Sequence, residues 1–277
     1  MPMIRTQDST ELFVSDWGDP ACPPVVLIHA WGLNGDMWSA QVPALVAAGM
    51  RPVTYDQRGY GRSDRAAACN YDLDSLADDL AAIIDTRDLR GAALVGHSLG
   101  AHVAIRYLSR HPDHSVRKVV LSAPGAPMLR RSDDNEAGID ETVFESSRSA
   151  MAADIGAFVD STSSADYFGI RPVSPALADW TRRQFVDAPL HVLLETHKTF
   201  TRADLRQELT TLQIPTLVLH GSADRSAPLE ATGQRTAALI PSCRIVVFDG
   251  AGHGLYTSEA SRYNEEILGF CGDTVTG

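Results

Sequence analysis

Short, almost continuously apolar runs alternate with longer amphipathic segments along this chain, and this alternation limits the possible folds more than any other feature. Apolar runs this short suit parallel β-strands that are buried on both faces. Between them, residues 72–86 and 99–111 place apolar side chains at helical spacing. The pattern predicts an α/β fold, in which right-handed crossovers build a mostly parallel sheet flanked by helices. The apolar runs occupy residues 25–28, 92–95, 119–121, 216–219 and 245–248.

One segment near the N-terminus has a different pattern. Residues 11–17 alternate apolar and polar side chains, and Gly18, Asp19 and Pro20 follow as a turn. Because alternation is typical of a strand with one face toward water, this segment predicts an antiparallel edge strand that is added to the parallel sheet.

The alternation stops at about Pro127 and resumes after about Arg202. Three helix-like segments follow one another there, near residues 139–160, 175–187 and 189–199. An insertion of this length is too long for an ordinary loop. We therefore predict one α/β core, residues 1–126 and 203–277, with a helical lid at residues 127–202 over the strand ends. The alternative is a helical subdomain that has no part in function.

Charge and composition limit the partners of this chain. Its 35 acidic and 24 basic residues give a formal net charge of −11, which disfavours binding to nucleic-acid phosphates or anionic lipid. No run approaches the roughly 18 apolar residues of a membrane span, and no secretory signal is visible. We expect a cytoplasmic protein without nucleic-acid, membrane or metal partners. The cysteines lack the spacing of a disulfide framework or zinc site; they are Cys22, Cys69, Cys243 and Cys271.

Residues 96–100 read Gly-His-Ser-Leu-Gly, a G-x-S-x-G motif between a predicted strand and a predicted helix. The motif requires this context, because the chain must pass from strand to helix within about one residue. The tight turn would hold Ser98 in a strained backbone conformation, and Gly96 and Gly100 would leave space for the neighbouring backbone. Ser98 is therefore the candidate nucleophile, at the carboxyl edge of the sheet.

A serine hydroxyl needs a positioned base to accept its proton, and in this motif an acid and then a histidine are expected to follow. His253 lies in a glycine-rich loop directly after the last predicted strand, which makes it the candidate base among nine histidines. Asp224 lies in the loop after the preceding strand and is the candidate acid that orients the imidazole. Asp249, next to the same glycine-rich loop, is the second choice.

Acyl transfer also needs hydrogen-bond donors for the oxyanion. We expect these to be the backbone N–H groups of Leu99, which follows the nucleophile, and of Trp31, in the loop after the strand at 25–28. The Trp31 indole would form part of the acyl pocket. Among the aromatic side chains of the insertion, Phe144, Phe168 and Trp180 are the predicted substrate contacts. The insertion also carries Phe158, Tyr167 and Phe185.

These landmarks together resemble the α/β-hydrolase superfamily over nearly the whole chain. Residues 56–64 resemble its D-x-R-G-x-G-x-S segment, and residues 31–38 and 204–219 resemble its cofactor-free haloperoxidase and aryl-esterase branch. The first loop of the family usually reads H-G-F/W-P, whereas Ala30 and Gly32 stand here in place of the glycine and the proline. In that branch the proline is associated with peracid formation, so Gly32 favours plain hydrolysis.

The residues therefore predict a serine hydrolase that cleaves a carboxylic ester, a lactone or a similar small acyl substrate through an acyl-enzyme on Ser98. This chemistry requires no metal and no organic cofactor. Three alternatives stay open at this point. They are a perhydrolase or cofactor-free haloperoxidase that uses peroxide, a hydrolase of carbon–carbon bonds with the same triad, and a small-molecule receptor on the same fold.

Overall fold

The structure, a computed structural model, describes residues 3–65, 70–162 and 165–272. Within these residues, one sheet contains eight strands in the order β1-β2-β4-β3-β5-β6-β7-β8. The strands are β1 (Met3–Arg5), β2 (Glu11–Asp16), β3 (Pro24–Ile28), β4 (Arg51–Tyr55), β5 (Ala93–His97), β6 (Lys118–Ser122), β7 (Thr216–Gly221) and β8 (Cys243–Phe248).

Helices precede or follow most of these strands, and several lie between β6 and β7. In the described part of the chain, no helix is long and apolar enough to cross a membrane. The helices are α1 (Gln41–Ala47), α2 (Leu73–Thr86), α3 (Leu99–Arg110), α4 (Glu141–Ala153), α5 (Ile155–Thr162), α6 (Ala165–Phe168), α7 (Pro175–Asp187), α8 (Leu190–Arg202), α9 (Arg206–Thr211), α10 (Gly233–Leu239), α11 (Leu255–Ser258) and α12 (Ala260–Gly272).

The sheet is parallel from β4 through β3, β5, β6 and β7 to β8, which confirms the predicted α/β fold. Every residue of β4, β5, β6 and β7 is buried. The alternation of side chains along β3 shows how both faces of the sheet are covered. Val26 and Ile28 pack into an apolar cluster with α2 and α3, whereas Val25 and Leu27 pack into a second cluster with α1 and α12. Both faces of the sheet are therefore covered, as the continuous apolar runs indicate.

The N-terminal strand prediction needs a correction. β2 pairs antiparallel with β4, as its alternating pattern predicts, but it is not the edge of the sheet. The edge is β1, which pairs antiparallel with the outer side of β2. β1 has only 3 residues, and one of them, Ile4, is buried. A strand this short carries no periodicity that sequence analysis could detect.

The helix predicted near residues 139–160 is also wrong in one respect, because the structure divides it into α4 and α5. The break is at Asp154, whose backbone is extended (φ −160°, ψ 99°). The Asp154 carboxylate then accepts a hydrogen bond from the Ala157 amide over 3.0 Å and so caps the start of α5. Aspartate favours such capping positions over the helix interior, and this interaction ends α4.

A buried ion pair joins the loop after β4 to helix α2. The guanidinium of Arg58 donates two hydrogen bonds of 2.6 Å to the Asp79 carboxylate, and the two side chains are 2% and 1% exposed. Arg58 also contacts Asp8 at 2.8 Å, which connects the same loop to the start of the sheet. Two parallel donors to one carboxylate fix both distance and orientation, so this pair holds α2 in register with the sheet.

Replacing Arg58 by methionine should destabilise the fold strongly, because the Asp79 carboxylate would stay buried without a partner. We expect the free energy of unfolding to fall by about 3–5 kcal/mol, measured by urea denaturation. Arg110→Met is the matched control, since Arg110 pairs with Asp78 while both side chains are about half exposed, at 41% and 45%. Its loss should stay below about 1 kcal/mol. Equal losses in the two variants would contradict the structural role of Arg58.

Candidate active site

Ser98 occupies the turn between β5 and α3 with a backbone that serine rarely adopts (φ 55°, ψ −115°). Its amide donates to the Ser122 carbonyl over 2.9 Å, which holds the turn against β6. A Cβ at Gly96 would lie 2.3 Å from the Gly100 carbonyl oxygen, and one at Gly100 would lie 2.2 Å from the carbonyl oxygen of Ile28. The two glycines thus allow the close approach that forces Ser98 into this conformation.

His253 and Asp224 lie in contact at the same edge of the sheet. The distance from His253 Nδ1 to an Asp224 carboxylate oxygen is 2.7 Å, and both side chains are buried. The other carboxylate oxygen accepts hydrogen bonds of 2.9 Å from the amides of Ser226 and Ala227. Asp249, the second choice for the acid, is exposed and accepts from the Ser222 hydroxyl instead. The structure thus brings Asp224, not Asp249, to the imidazole.

The charge state of Asp224 follows from these contacts. Burial opposes its ionisation, but the charge and the hydrogen bond of His253 and the Ala227 amide hold the pKa of the carboxyl below its usual value. With Asp224 ionised, His253 donates through Nδ1–H, and its Nε2 is left to accept a proton on the side of the cavity. His253 and Ser98 both line that cavity.

Two buried histidines next to this pair were not singled out by the sequence. His97, beside the nucleophile, places its ring centroid 5.0 Å from that of His253 and contacts the Ser122 hydroxyl through Nδ1 at 2.9 Å. His220 Nε2 lies 2.7 Å from the carbonyl oxygen of Ala227. Burial lowers the pKa of both imidazoles, so both are neutral near pH 7. Only their positions, His97 directly before the candidate nucleophile and His220 four residues before the candidate acid, could have drawn attention to them.

The loop that carries His253 is fastened to the short helix α6. The Gly254 amide donates to the Tyr167 carbonyl over 2.7 Å, and the Ile170 amide donates to the Gly250 carbonyl over 2.9 Å. Gly252 packs so tightly there that a Cβ would lie 2.3 Å from the Asp166 carbonyl oxygen. An inserted helix therefore forms one side of the support for the candidate base.

The loop after β3 is held by a buried histidine. The Gln57 amide donates to His29 Nε2 over 2.8 Å, so the proton of His29 is on Nδ1, which donates to the Ala30 carbonyl over 2.8 Å. The next amide is that of Trp31. Among the described residues, neither the Trp31 N–H nor the Leu99 N–H at the start of α3 has a hydrogen-bond acceptor. Both predicted oxyanion donors are therefore free to bind a ligand.

Gly32 takes a backbone conformation that excludes the proline expected from the family pattern. Its φ is 75°, whereas a proline ring fixes φ near −65°. A Cβ at this position would also lie 2.1 Å from two ring carbons of Phe185 on α7. Gly32 therefore gives the loop after β3 a course that the usual H-G-F/W-P sequence could not follow, and an aromatic ring of the insertion packs directly on it.

A cavity of about 270 Å³ connects these elements, and its walls are mostly apolar. Trp31, Phe144 and Phe168, all predicted as substrate contacts, line it. Trp180 does not belong to its described lining, because the face of α7 that points inward carries other residues. These are Ala178, Thr181, Arg182 and Phe185, spaced as on one side of a helix, and Trp180 lies outside that stripe. The lining also includes Phe158, Tyr167, His197 and Phe200.

Metal or disulfide sites are not seen in the described residues. Cys22, Cys243 and Cys271 are free thiols there, and Cys69 lies outside the described residues. Burial raises the pKa of the Cys243 thiol to about 11, which makes it a poor nucleophile near pH 7. No group of three or more His, Cys, Asp or Glu side chains in the described ranges is placed to hold a metal ion.

Known proteins share this fold and about a third of the residues of this chain. A family model described as alpha/beta hydrolase fold matches residues 23–260. A non-heme chloroperoxidase of Kitasatospora aureofaciens is 33% identical, over 98% of this chain and 99% of its own. A bifunctional esterase/perhydrolase of Acinetobacter calcoaceticus is 30% identical over the same shares of the two chains.

Solved structures agree with these sequence relatives. The crystal structure of a bromoperoxidase from Bacillus anthracis superposes with a TM-score of 0.92 at 33% identity, and covers 98% of this chain and 99% of that one. An esterase from Exiguobacterium antarcticum superposes with the same TM-score at 28% identity and with the same coverage. On its sequence and its fold, the chain belongs to the α/β-hydrolase family, in the branch of the non-heme haloperoxidases and their related esterases.

Proposed function

We propose that this protein is a serine hydrolase that cleaves small carboxylic esters or lactones. The observation that carries the proposal is the buried 2.7 Å contact of Asp224 with His253, together with the position of His253 in the wall of the apolar cavity that the strained Ser98 also lines. A carboxylate, an imidazole and a serine hydroxyl that faces a cavity form the constellation that activates a serine for acyl transfer. Relatives over the full length include an esterase/perhydrolase, which supports the same chemistry.

The reaction would proceed in two steps, acylation and deacylation of Ser98. In the first, Ser98 Oγ attacks the substrate carbonyl carbon and passes its proton to His253 Nε2. The imidazolium then gives this proton to the departing alcohol oxygen, which leaves an acyl-serine ester. In the second, His253 takes a proton from water, the hydroxide attacks the acyl carbon, and the proton returns to Ser98 Oγ as the acid leaves. Asp224 keeps the imidazole oriented and stabilises its charged form.

The oxyanion of both tetrahedral intermediates needs donors that are fixed before the reaction. The free amides of Leu99 and Trp31 serve this purpose in the proposal, because one starts helix α3 and the other lies in the loop held by His29. Donors fixed in this way need no reorganisation as the charge develops, and the loss of one such donor costs about 3–4 kcal/mol of transition-state stabilisation in a serine protease. We further propose that the inserted helices α4 to α8 act as the lid, since they supply most of the apolar wall.

Ser98→Ala should abolish ester hydrolysis, because it removes the hydroxyl that forms the acyl-enzyme in the proposed mechanism. We expect the turnover of p-nitrophenyl esters to fall by roughly 10⁴-fold or more. A fluorophosphonate probe should label the native protein on Ser98 and leave the variant unlabelled, as mapped by peptide mass spectrometry. Ser146→Ala, at an exposed position on α4, is the control and should react as the native protein does. Labelling at any other residue would contradict the mechanism.

Asp224→Asn should separate the two candidate acids. An asparagine would favour the wrong imidazole tautomer, so we expect kcat to fall by roughly 10³- to 10⁴-fold with the fold intact. Asp249→Asn removes the neighbouring carboxylate at an exposed position and should leave kcat within about twofold of the native value. Steady-state kinetics and circular dichroism of both variants check this assignment. A larger loss in Asp249→Asn would reverse it.

Perhydrolysis is the second candidate, because several relatives are named haloperoxidases or perhydrolases. Gly32 argues against it as the main activity, since the loop after β3 cannot take the proline-containing course associated with peracid formation. We expect native protein mixed with acetate and hydrogen peroxide to form peracetic acid much more slowly than it hydrolyses an acetate ester. Bromide oxidation reports the peracid, with Ser98→Ala as the blank. Peracid formation at the rate of ester hydrolysis would make perhydrolysis the better description.

A further inference from the structure

His197 on α8 is the one imidazole that the insertion contributes to the described cavity wall, and it is only 6% exposed. Aromatic rings surround it, with the centroids of Trp31, Phe200 and Phe144 at 5.2, 5.1 and 6.0 Å. An imidazole in such a wall needs polar partners for both ring nitrogens, because a buried polar group without one is costly. The partners of His197 therefore define what this wall can bind.

One ring nitrogen of His197 contacts a buried arginine. Arg148 Nη1 lies 3.4 Å from His197 Nδ1, and Arg148 is 9% exposed. The Glu141 carboxylate accepts hydrogen bonds from Arg148 over 2.9 Å and from Arg202 over 3.0 Å, which keeps the guanidinium in place. A guanidinium has only donors, so the ring nitrogen that faces it must offer its lone pair.

This contact decides the tautomer of His197. With the lone pair on Nδ1, a neutral ring carries its single proton on Nε2. Burial and the nearby charge of Arg148 lower the pKa of His197 to about 4, so the ring is neutral near pH 7. His197 is therefore a hydrogen-bond donor through Nε2 and not a charged group.

Several other donors on the cavity wall already have protein acceptors. The Trp31 indole N–H donates to the Leu193 carbonyl over 3.0 Å, and His102 Nδ1 lies 3.1 Å from the Ser98 carbonyl oxygen. In the described residues, by contrast, His197 Nε2 has no hydrogen-bond partner. Four hydroxyl groups donate to carbonyl oxygens of their own helices, those of Ser147, Thr162, Thr181 and Thr201.

We propose that His197 is a specificity-determining residue, whose Nε2–H binds an oxygen acceptor within the chain of the substrate. The inference rests on the proposed function and narrows its substrate class. This hydrogen bond favours esters whose chain carries an ether, carbonyl or hydroxyl oxygen at the point where it passes His197. Esters of the same length with alkyl chains only would react more slowly. The surrounding rings would pack against the carbon atoms on either side of that oxygen.

An oxygen scan of the substrate tests the proposal. In one arm, p-nitrophenyl hexanoate is compared with three esters in which oxygen replaces carbon 3, 4 or 5 of the acyl chain. In the other arm, hexyl acetate is compared with analogues that carry one oxygen in the hexyl chain. We expect one position in one arm to raise kcat/KM over the alkyl ester by roughly three- to tenfold, the usual effect of one neutral hydrogen bond.

Three variants assign this preference to His197. His197→Phe keeps an aromatic ring without the donor and should reduce the ratio of ether to alkyl kcat/KM to about one. His197→Gln places an amide N–H near the position of Nε2 and should keep part of the preference. His191→Phe is the matched control on the same helix, because His191 is exposed and packs on Tyr71 outside the cavity. It should leave both rates and their ratio unchanged.

The outcomes separate this inference from the proposed function. If the native protein hydrolyses none of the esters, the proposed function fails and the inference falls with it. If the native protein hydrolyses the esters but prefers no position of oxygen, or if His197→Phe keeps the native ratio of ether to alkyl kcat/KM, the inference alone is wrong. Nitrogen NMR of labelled histidines adds a test that needs no folded Phe variant. The signal lost in His197→Gln must show a protonated Nε2, and a protonated Nδ1 would overturn the inference.

Discussion

When helices cover both faces of a parallel sheet, polar side chains can meet a substrate at the edge where the strands end. In this protein the loops after β3, β5, β7 and β8 all leave the sheet at that edge, and they carry Trp31, Ser98, Asp224 and His253 in turn. Each loop is short and each strand is fixed by its neighbours, so the four groups meet without any need for a separate binding domain. The apolar core thus determines where the site lies, and the loops determine what it contains.

The sequence predicts those parts of the molecule whose signals are local. The apolar runs mark the strands, and the glycines around Ser98 and His253 mark turns that only glycine-rich backbone allows. The order of serine, aspartate and histidine, together with a position in the loop directly after a buried strand, then favours Asp224 over many other aspartates and leaves Asp249 as the second choice. The contact of Asp224 with His253, at 2.7 Å, follows from the parallel order of β7 and β8, which the strand pattern already implies.

Features that depend on the rotation of a helix or on its exact ends could not be predicted from such local signals. Trp180 and Thr181 are adjacent in sequence, but the rotation of α7 about its axis determines that Thr181 faces the cavity. The division of α4 from α5 is made at one residue, Asp154, by its extended backbone and by the hydrogen bond that its carboxylate accepts from Ala157. The partnership of Arg148 with His197 joins two helices that are distant in sequence, and no spacing rule connects them. These features are properties of packing between elements, which periodicity does not encode.

The attachment of α6 to the His253 loop links the shape of the cavity to the position of the imidazole. Two backbone hydrogen bonds and a glycine contact join this part of the insertion to the loop that carries the imidazole. If α6 lifted away, His253 would lose its support at the moment the cavity opened, and the enzyme would be inactive while open. On the proposed mechanism, α6 therefore has to stay in place while the imidazole works. A change in α6 would thus alter the support of the imidazole as well as the shape of the cavity that Tyr167 and Phe168 line.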